Sequence, residues 1–506
     1  MTRAGRREWI GLAVLALPCM LYSMDLTVLN LAVPALSADL RPSSAELLWI
    51  VDIYGFLAAG SLITMGTLGD RIGRRRLLLI GAAAFGVASV FAAFSTSASM
   101  LIATRALLGV AAATLAPSTL SLIRNMFLDP AQRTVAVSVW VMSYSAGAAI
   151  GPLAGGLLLE HFWWGSVFLI NVPVMVLLLV LGPLLLPEFR DPRAGRLDPL
   201  SAAQSVVAVL AVIYGLKRIA ESGIDGVAVL SMLAGIAVGA LFVRRQRQLA
   251  DPLIDLKLFR VPAFSAAILV NLFGFLTAFA TFLFIAQYLQ SVLGLSPLQG
   301  GIWSVPAALT FIAGSMLTPA LVRAVRPAYV IAGGMAVSAA GYGLLALVDK
   351  SASPLAFLVG GSIIFSLGLT PVVTLATDLA LGAAPPERAG AAAAISETSS
   401  EFGGALGIAV MGSLVTAIYR GEIARTLPQG VPAGAAEIAR DTIGGAVSVA
   451  GQLTGPLGAE VLISAREAYA QAFGTTAVVS AVIAMAVSIL AAIMLRQVRA
   501  HRDGIA

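Results

Sequence analysis

Charge is what this chain has least of: 11% of its 506 residues are Asp, Glu, Lys or Arg. A soluble globular chain carries about 25%, so these residues cannot cover a water-facing surface. Cys19 is the single cysteine, which excludes a disulfide framework and a thiol metal site. His161 and His501 are the only histidines, and two so remote exclude a multi-histidine metal centre. With no catalytic cluster or cofactor box, neither an enzyme nor a bound metal or cofactor is expected. Lysine is scarce too: Lys217, Lys257 and Lys350 are the only three among 32 basic residues, and with 50 glycines this composition suggests a GC-rich bacterial genome.

What the chain has in plenty is apolar sequence, 59% of residues, with a mean hydropathy of +0.93. Runs of about 20 apolar residues, enough to cross roughly 30 Å of hydrocarbon, recur from end to end. They fall near 9–36, 46–68, 77–96, 100–122, 134–160, 165–186, 199–219, 226–243, 263–288, 298–322, 328–348, 354–382, 391–418 and 471–495. These are fourteen predicted transmembrane helices in one all-α polytopic membrane protein. The first run carries Asp25 and lacks a small-residue cleavage site, so it reads as a permanent helix rather than a removed signal. With a cytoplasmic N-terminus, 23 Lys/Arg fall in inside segments and 8 in outside ones. This satisfies the positive-inside rule and places both termini in the cytoplasm. The net charge of +6 is then a topology signal, and no nucleic-acid partner is needed. Residues 419–470 form a long polar outer segment with helix-like stretches near 433–450 and 457–470; it reads as an extracellular helical hairpin, with a gating lid as the alternative.

The loop after the second span reads Gly66-Thr-Leu-Gly-Asp70-Arg71-Ile-Gly73-Arg74-Arg75-Arg76. Its glycines permit a tight turn, Asp70 can accept from helix N-termini and arginines, and the arginines hold the loop at the inner surface. A generic basic loop explains the charge but not this spacing, which resembles the signature loop of the major facilitator superfamily. Leu101-Ile-Ala-Thr-Arg105-Ala-Leu-Leu-Gly109 resembles that superfamily's fourth-span motif, and Gly147-Ala-Ala-Ile-Gly151-Pro152-Leu-Ala-Gly155-Gly156 its fifth-span antiporter motif. Met24-Asp25-Leu-Thr27-Val-Leu-Asn30-Leu-Ala-Val-Pro34 resembles the first-span signature of the fourteen-span drug:proton antiporters. Trp49-Ile-Val-Asp52-Ile-Tyr54 and Ser396-Glu397-Thr-Ser-Ser-Glu401-Phe-Gly403 narrow the likeness to the QacA/SmvA/LfrA-like multidrug efflux branch, with the LfrA type most similar.

The resemblance implies a major facilitator fold: a six-helix half over 9–186, two inserted helices over 199–243, and a second six-helix half over 263–495 that includes the 419–470 hairpin. Such halves place a substrate site near the bilayer midplane. It further implies a monomer in the bacterial inner membrane, driven by the proton gradient without a cofactor. The implied cargo is lipophilic cations such as ethidium, acriflavine and quaternary ammonium compounds, with fluoroquinolones a further class. The tenth span, Trp303-Ser-Val-Pro306-Ala-Ala-Leu-Thr310, lacks the acid that QacA-like handlers of divalent cations carry, so monovalent cations are expected to be preferred. Export of an endogenous antibiotic or metabolite, or symport, would use the same fold.

Six ionisable residues within the spans matter most: Asp25, Asp52, Arg105, Asp378, Glu397 and Glu401. An unpaired charge at the bilayer centre costs about 3 kcal/mol on insertion scales, so such residues either form fixed pairs or carry function. Five acids against one base cannot all pair. Arg105 can meet Asp25 or bond carbonyls, in a relay, conformational or structural role; the resemblance ties Asp25 to proton coupling. Glu397 and Glu401 are i,i+4 and share one helix face, where two acids do not both ionise readily. Glu397 reads as a site shared by proton and drug; Glu401 either joins it or faces water. Asp52 with Trp49, Tyr54, Trp140, Tyr144 and Trp303 forms a candidate aromatic and acidic wall for a flat cation, although any one aromatic can equally anchor the lipid interface. Asp378 reads as bordering inner water. Gly147, Gly151, Gly155 and Gly156 give small-residue spacing for close helix contact, and Pro152 a bend.

Overall fold

Within lipid each backbone N–H and C=O must find its partner inside its own segment, so long helices are the expected outcome. The computed structural model describes residues 4–40, 42, 44–190, 198–249, 252–295, 297–348, 353–453 and 456–496; the side chains of Asp52 and Pro152 lie outside the described ones. Every element among the described residues is helical. The first half comprises α1 (Arg6–Leu40), α2 (Ser44–Ile72), α3 (Arg74–Ala93), α4 (Ala98–Met126), α5 (Pro130–His161), α6 (Ser166–Leu169) and α7 (Asn171–Leu185). The last two divide one span. Pro173 has no N–H to offer the Leu169 carbonyl, and its ring crowds that carbonyl, so the helix breaks there.

α8 (Pro199–Ser222) and α9 (Gly226–Gln246) form a hairpin, closed at one end by Arg218–Asp225 and at the other by Arg245–Asp198, both at 2.6 Å. Bonds from Arg245 and Ser201 hold the Asp198 carboxyl below the usual carboxylate range. The second half comprises α10 (Pro262–Gln287), α11 (Pro297–Ala324), α12 (Pro327–Leu345), α13 (Pro354–Ala383), α14 (Ala389–Thr426), α15 (Ala433–Asp441), α16 (Ile443–Gln452) and α17 (Pro456–Met494). Among the described residues, 12 helices are long and apolar enough to cross a membrane. α2 and α5, of 29 and 32 residues, pack between them against α4 and α1.

The halves meet along α2 with α14, α5 with α11 and α13, and α4 with α14. α8 rests on this seam, touching α2 and α14 at once. Phe56 and Ala59 of α2, Val209 and Ile213 of α8, and Phe402 and Ala405 of α14 form a small apolar cluster there.

The 419–470 segment is less separate than expected. α14 continues to Thr426 and α17 starts at Pro456, so the stretch near 457–470 is the beginning of the last long helix rather than a helix of its own. α15 and α16 cap the gap and are fastened within the second half. Tyr419 donates to the Ala439 carbonyl (2.8 Å), and Ser464 to that of Thr426 (3.0 Å). Arg466 reaches the Ser291 carbonyl (3.2 Å) in a π-helical turn, Tyr288–Val292, that ends α10.

Candidate functional site

Asp25 lies near the middle of α1 and Arg105 in the second turn of α4, so packing of the first half brings them together. Their side chains are 4% and 1% exposed, and Arg105 Nη1 is 2.5 Å from Asp25 Oδ2. Both expected roles of Arg105 occur together, because its Nε also donates to the Ile50 carbonyl at 3.1 Å. Its guanidinium lies over the Tyr54 ring, 4.6 Å from the centroid. Asn171, at the start of α7, donates to Asp25 (3.4 Å) and to Ser89 (3.3 Å). Asn171 escapes a reading of the sequence because it is uncharged and stands beside a helix break.

Below this pair the first half carries an aromatic layer that faces the seam. Tyr22 is one turn before Asp25, and its ring lies 5.9 Å from Tyr54 and 5.7 Å from Tyr144. Tyr144 packs on Trp140 at 4.6 Å, and the Trp140 indole donates to Thr119 at 3.0 Å. Across the seam, the Tyr22 hydroxyl donates to Glu401 at 3.2 Å. Glu401 therefore has a protein partner rather than water alone. Glu397, one turn away on α14, lies within electrostatic reach of Cys19, Tyr22 and Tyr144.

On the face that carries the chain's N-terminal end and the 66–76 loop, the halves are locked. Asp70 accepts from the backbone N–H of Gly390 (3.3 Å) and Ala391 (3.1 Å), at the exposed end of the α14 dipole. Arg74 is fully buried and donates to Asp70 and to the Gly66 carbonyl. A Cβ on Gly66 would press on Ala394 and on the Gly390 carbonyl, and one on Gly390 would overlap the Arg74 guanidinium. Gly73 has φ +115°, open to glycine at little cost, and turns α2 into α3. Glu188 then caps α3, accepting from the N–H groups of Arg75 (3.1 Å) and Arg76 (3.2 Å). Arg71 is partly buried at the end of α2.

A second lock corrects the expectation for Asp378. It does not border water: it is 7% exposed, 2.6 Å from Arg133 Nε, and accepts from Thr134 at 2.9 Å. Arg133 sits in the first turn of α5, where charge reads as a loop feature, so only the packing of α5 on α13 reveals the partner. On the opposite face one stretch of α11, Gly301 to Val305, more than one full turn, is exposed. The remaining expected residues divide. Trp49 and Trp303 are 44% and 42% exposed and stand apart from the central rings, with Trp49 against Phe56. Gly147 packs on the backbone of Met20 in α1, whereas a Cβ on Gly156 would meet nothing within 4 Å, so packing does not require glycine there. Gly151 and Gly155 are buried along the same helix.

Helices crossing a membrane, carboxylates at the seam of two halves and a lock on one face define a multi-pass membrane transporter rather than an enzyme. The sequence model of the Major Facilitator Superfamily matches residues 15–408, and the chain belongs to that superfamily. It is 41% identical to the multidrug efflux pump LfrA of Mycolicibacterium smegmatis, over 98% of each chain. It is 38% identical to the methyl viologen resistance protein SmvA of Salmonella typhimurium, over 92% of this chain and 93% of that one. The crystal structure of the human organic anion transporter MFSD10 matches with a TM-score of 0.59 at 15% identity, covering 96% of this chain and 99% of that one, a likeness of fold alone.

Proposed function

We propose that this chain is a proton-coupled exporter of lipophilic cations, working by alternating access. The observation that carries the reading is the pair Glu397 and Glu401, one turn apart on α14 and facing the Tyr22–Tyr144 rings. Aromatic faces and a carboxylate together attract a flat cation, and two neighbouring acids away from water favour sharing one proton between them. A cation entering the site takes over the carboxylate charge and expels that proton. Asp25 is the second proton site. Protonating it removes the charge that holds Arg105, and the released guanidinium retains its bond to Ile50 on α2, so the event is felt at the next helix. The arginine excess assigns the locked face to the cytoplasm, which makes this state open outward. Asp52, in the outer third of α2, is the proposed outer contact for the cation. LfrA is a multidrug efflux pump and SmvA a methyl viologen resistance protein by name; an efflux role for this chain extends from that kinship.

Energised cells expressing the chain should expel ethidium, and a protonophore should stop it. Glu397→Gln should slow efflux by at least about tenfold, the worth of one charged contact near 1.4 kcal/mol. A monocation should be expelled better than its bis-cationic relative. Efflux that ignores the protonophore, or a fully active Glu397→Gln protein, would overturn the reading.

A further inference from the structure

We infer that Tyr22 sets cation selectivity by holding Glu401, so that a cation taking this carboxylate competes with the Tyr22 hydroxyl; the inference rests on the proposed exchange site. Three observations converge on this side chain. Its hydroxyl, on α1 of the first half, donates 3.2 Å across the seam to Glu401 on α14 of the second. Its ring is 7% exposed and wedged between Tyr54 and Tyr144, which fixes where the hydroxyl can reach. It also stands one turn from Asp25, and Tyr54, its neighbour, carries the Arg105 guanidinium on its other flank.

Tyr22 thus has its ring among the proton-pair neighbours of the first half and its polar atom on an acid of the second. A neutral donor on a carboxylate is a modest competitor. It yields to a cation that brings both charge and an aromatic-compatible face, and holds against one that brings charge alone. Small hydrated cations therefore gain too little to displace it, while flat lipophilic ones recover the lost bond through the rings. Discrimination of this kind arises from what must be broken as much as from what is formed. Tyr22 is a positioning residue here: it acts through Glu401.

The test is a double-mutant cycle on the full-length chain in lipid nanodiscs, reading ethidium and tetramethylammonium Kd by fluorescence titration and competition. Tyr22→Phe keeps the ring and removes the donor. Ethidium should bind about tenfold tighter, and tetramethylammonium should gain by a larger factor, narrowing the preference between them. In Glu401→Gln background the same substitution should change either Kd by less than about twofold, because the hydroxyl no longer guards a charge. Equal thermal unfolding midpoints of Tyr22→Phe and the parent chain separate the effect from misfolding. An unchanged Kd in Tyr22→Phe, or an equal change in both backgrounds, shows a packing role and overturns the inference. A parent chain that binds neither cation overturns the exchange-site reading itself, and this inference with it.

Discussion

Replacing Gly390 by alanine should stall transport while leaving the protein folded. The position looks unremarkable, a glycine in an alanine-rich helix start, yet its missing Cβ is the space that the Arg74 guanidinium occupies. Arg74 cannot step aside, being buried and bound to both Asp70 and the Gly66 carbonyl. A methyl group therefore displaces at least one charge-assisted bond, worth about 1.5–3 kcal/mol, from the contact that closes this face. That shifts the balance between the closed and open states by roughly 10- to 150-fold. The expected result is ethidium efflux reduced at least about tenfold, with normal membrane yield. Accessibility of a cysteine introduced below the lock, measured by maleimide labelling, should rise at the same time. Normal efflux in Gly390→Ala would show that Arg74 relaxes without consequence.

The Asp25→Asn protein should lose both proton movement and stability. Truncating one member of a buried ion pair leaves the other uncompensated, at a cost of about 3–5 kcal/mol. Here the survivor would be Arg105, 1% exposed, left with the Ile50 carbonyl and the Tyr54 and Phe168 faces beside it and no counter-charge from Asp25. Thermal unfolding should fall clearly, and drug-induced proton release, followed with a pH-sensitive dye, should vanish. Combining Asp25→Asn with Arg105→Gln should restore much of the unfolding midpoint, since neither charge is then stranded, while proton release stays absent. Proton release retained in the single variant would remove Asp25 from the coupling scheme.

Much of the architecture was legible because lipid leaves few choices. Apolar runs of helical length, interrupted by the charges of Asp25 and Arg105, announce both the spans and a pair that can meet inside them. The signature loop likewise foretold that Asp70 would seek a helix N-terminus. What could not be read is register between the halves. Glu401 and Tyr22 are 379 residues apart, Asp70 and Ala391 are 321 apart, and Arg133 and Asp378 are 245 apart. No periodicity within a helix encodes which residue of a distant helix it will face. Small or neutral residues are hidden further: Gly390 and Asn171 are read only once the guanidinium or carboxylate beside them has been placed. Glu188 is hidden as well, because it sits where a span ends, a position at which acids usually meet only water.

α8 has a mechanical consequence that its place in the chain conceals. It leans on α2 with one flank and on α14 with the other, through Val209, Ile213 and the residues around them. When two bodies turn about a seam, anything bedded against both must slip along one of them. In the proposed alternating-access cycle the α8–α9 hairpin would be a bearing surface, with the size and smoothness of its side chains governing how much friction each turnover meets. Trimming Ile213 or enlarging Ala59 would change the tempo of the machine and leave its choice of cargo untouched.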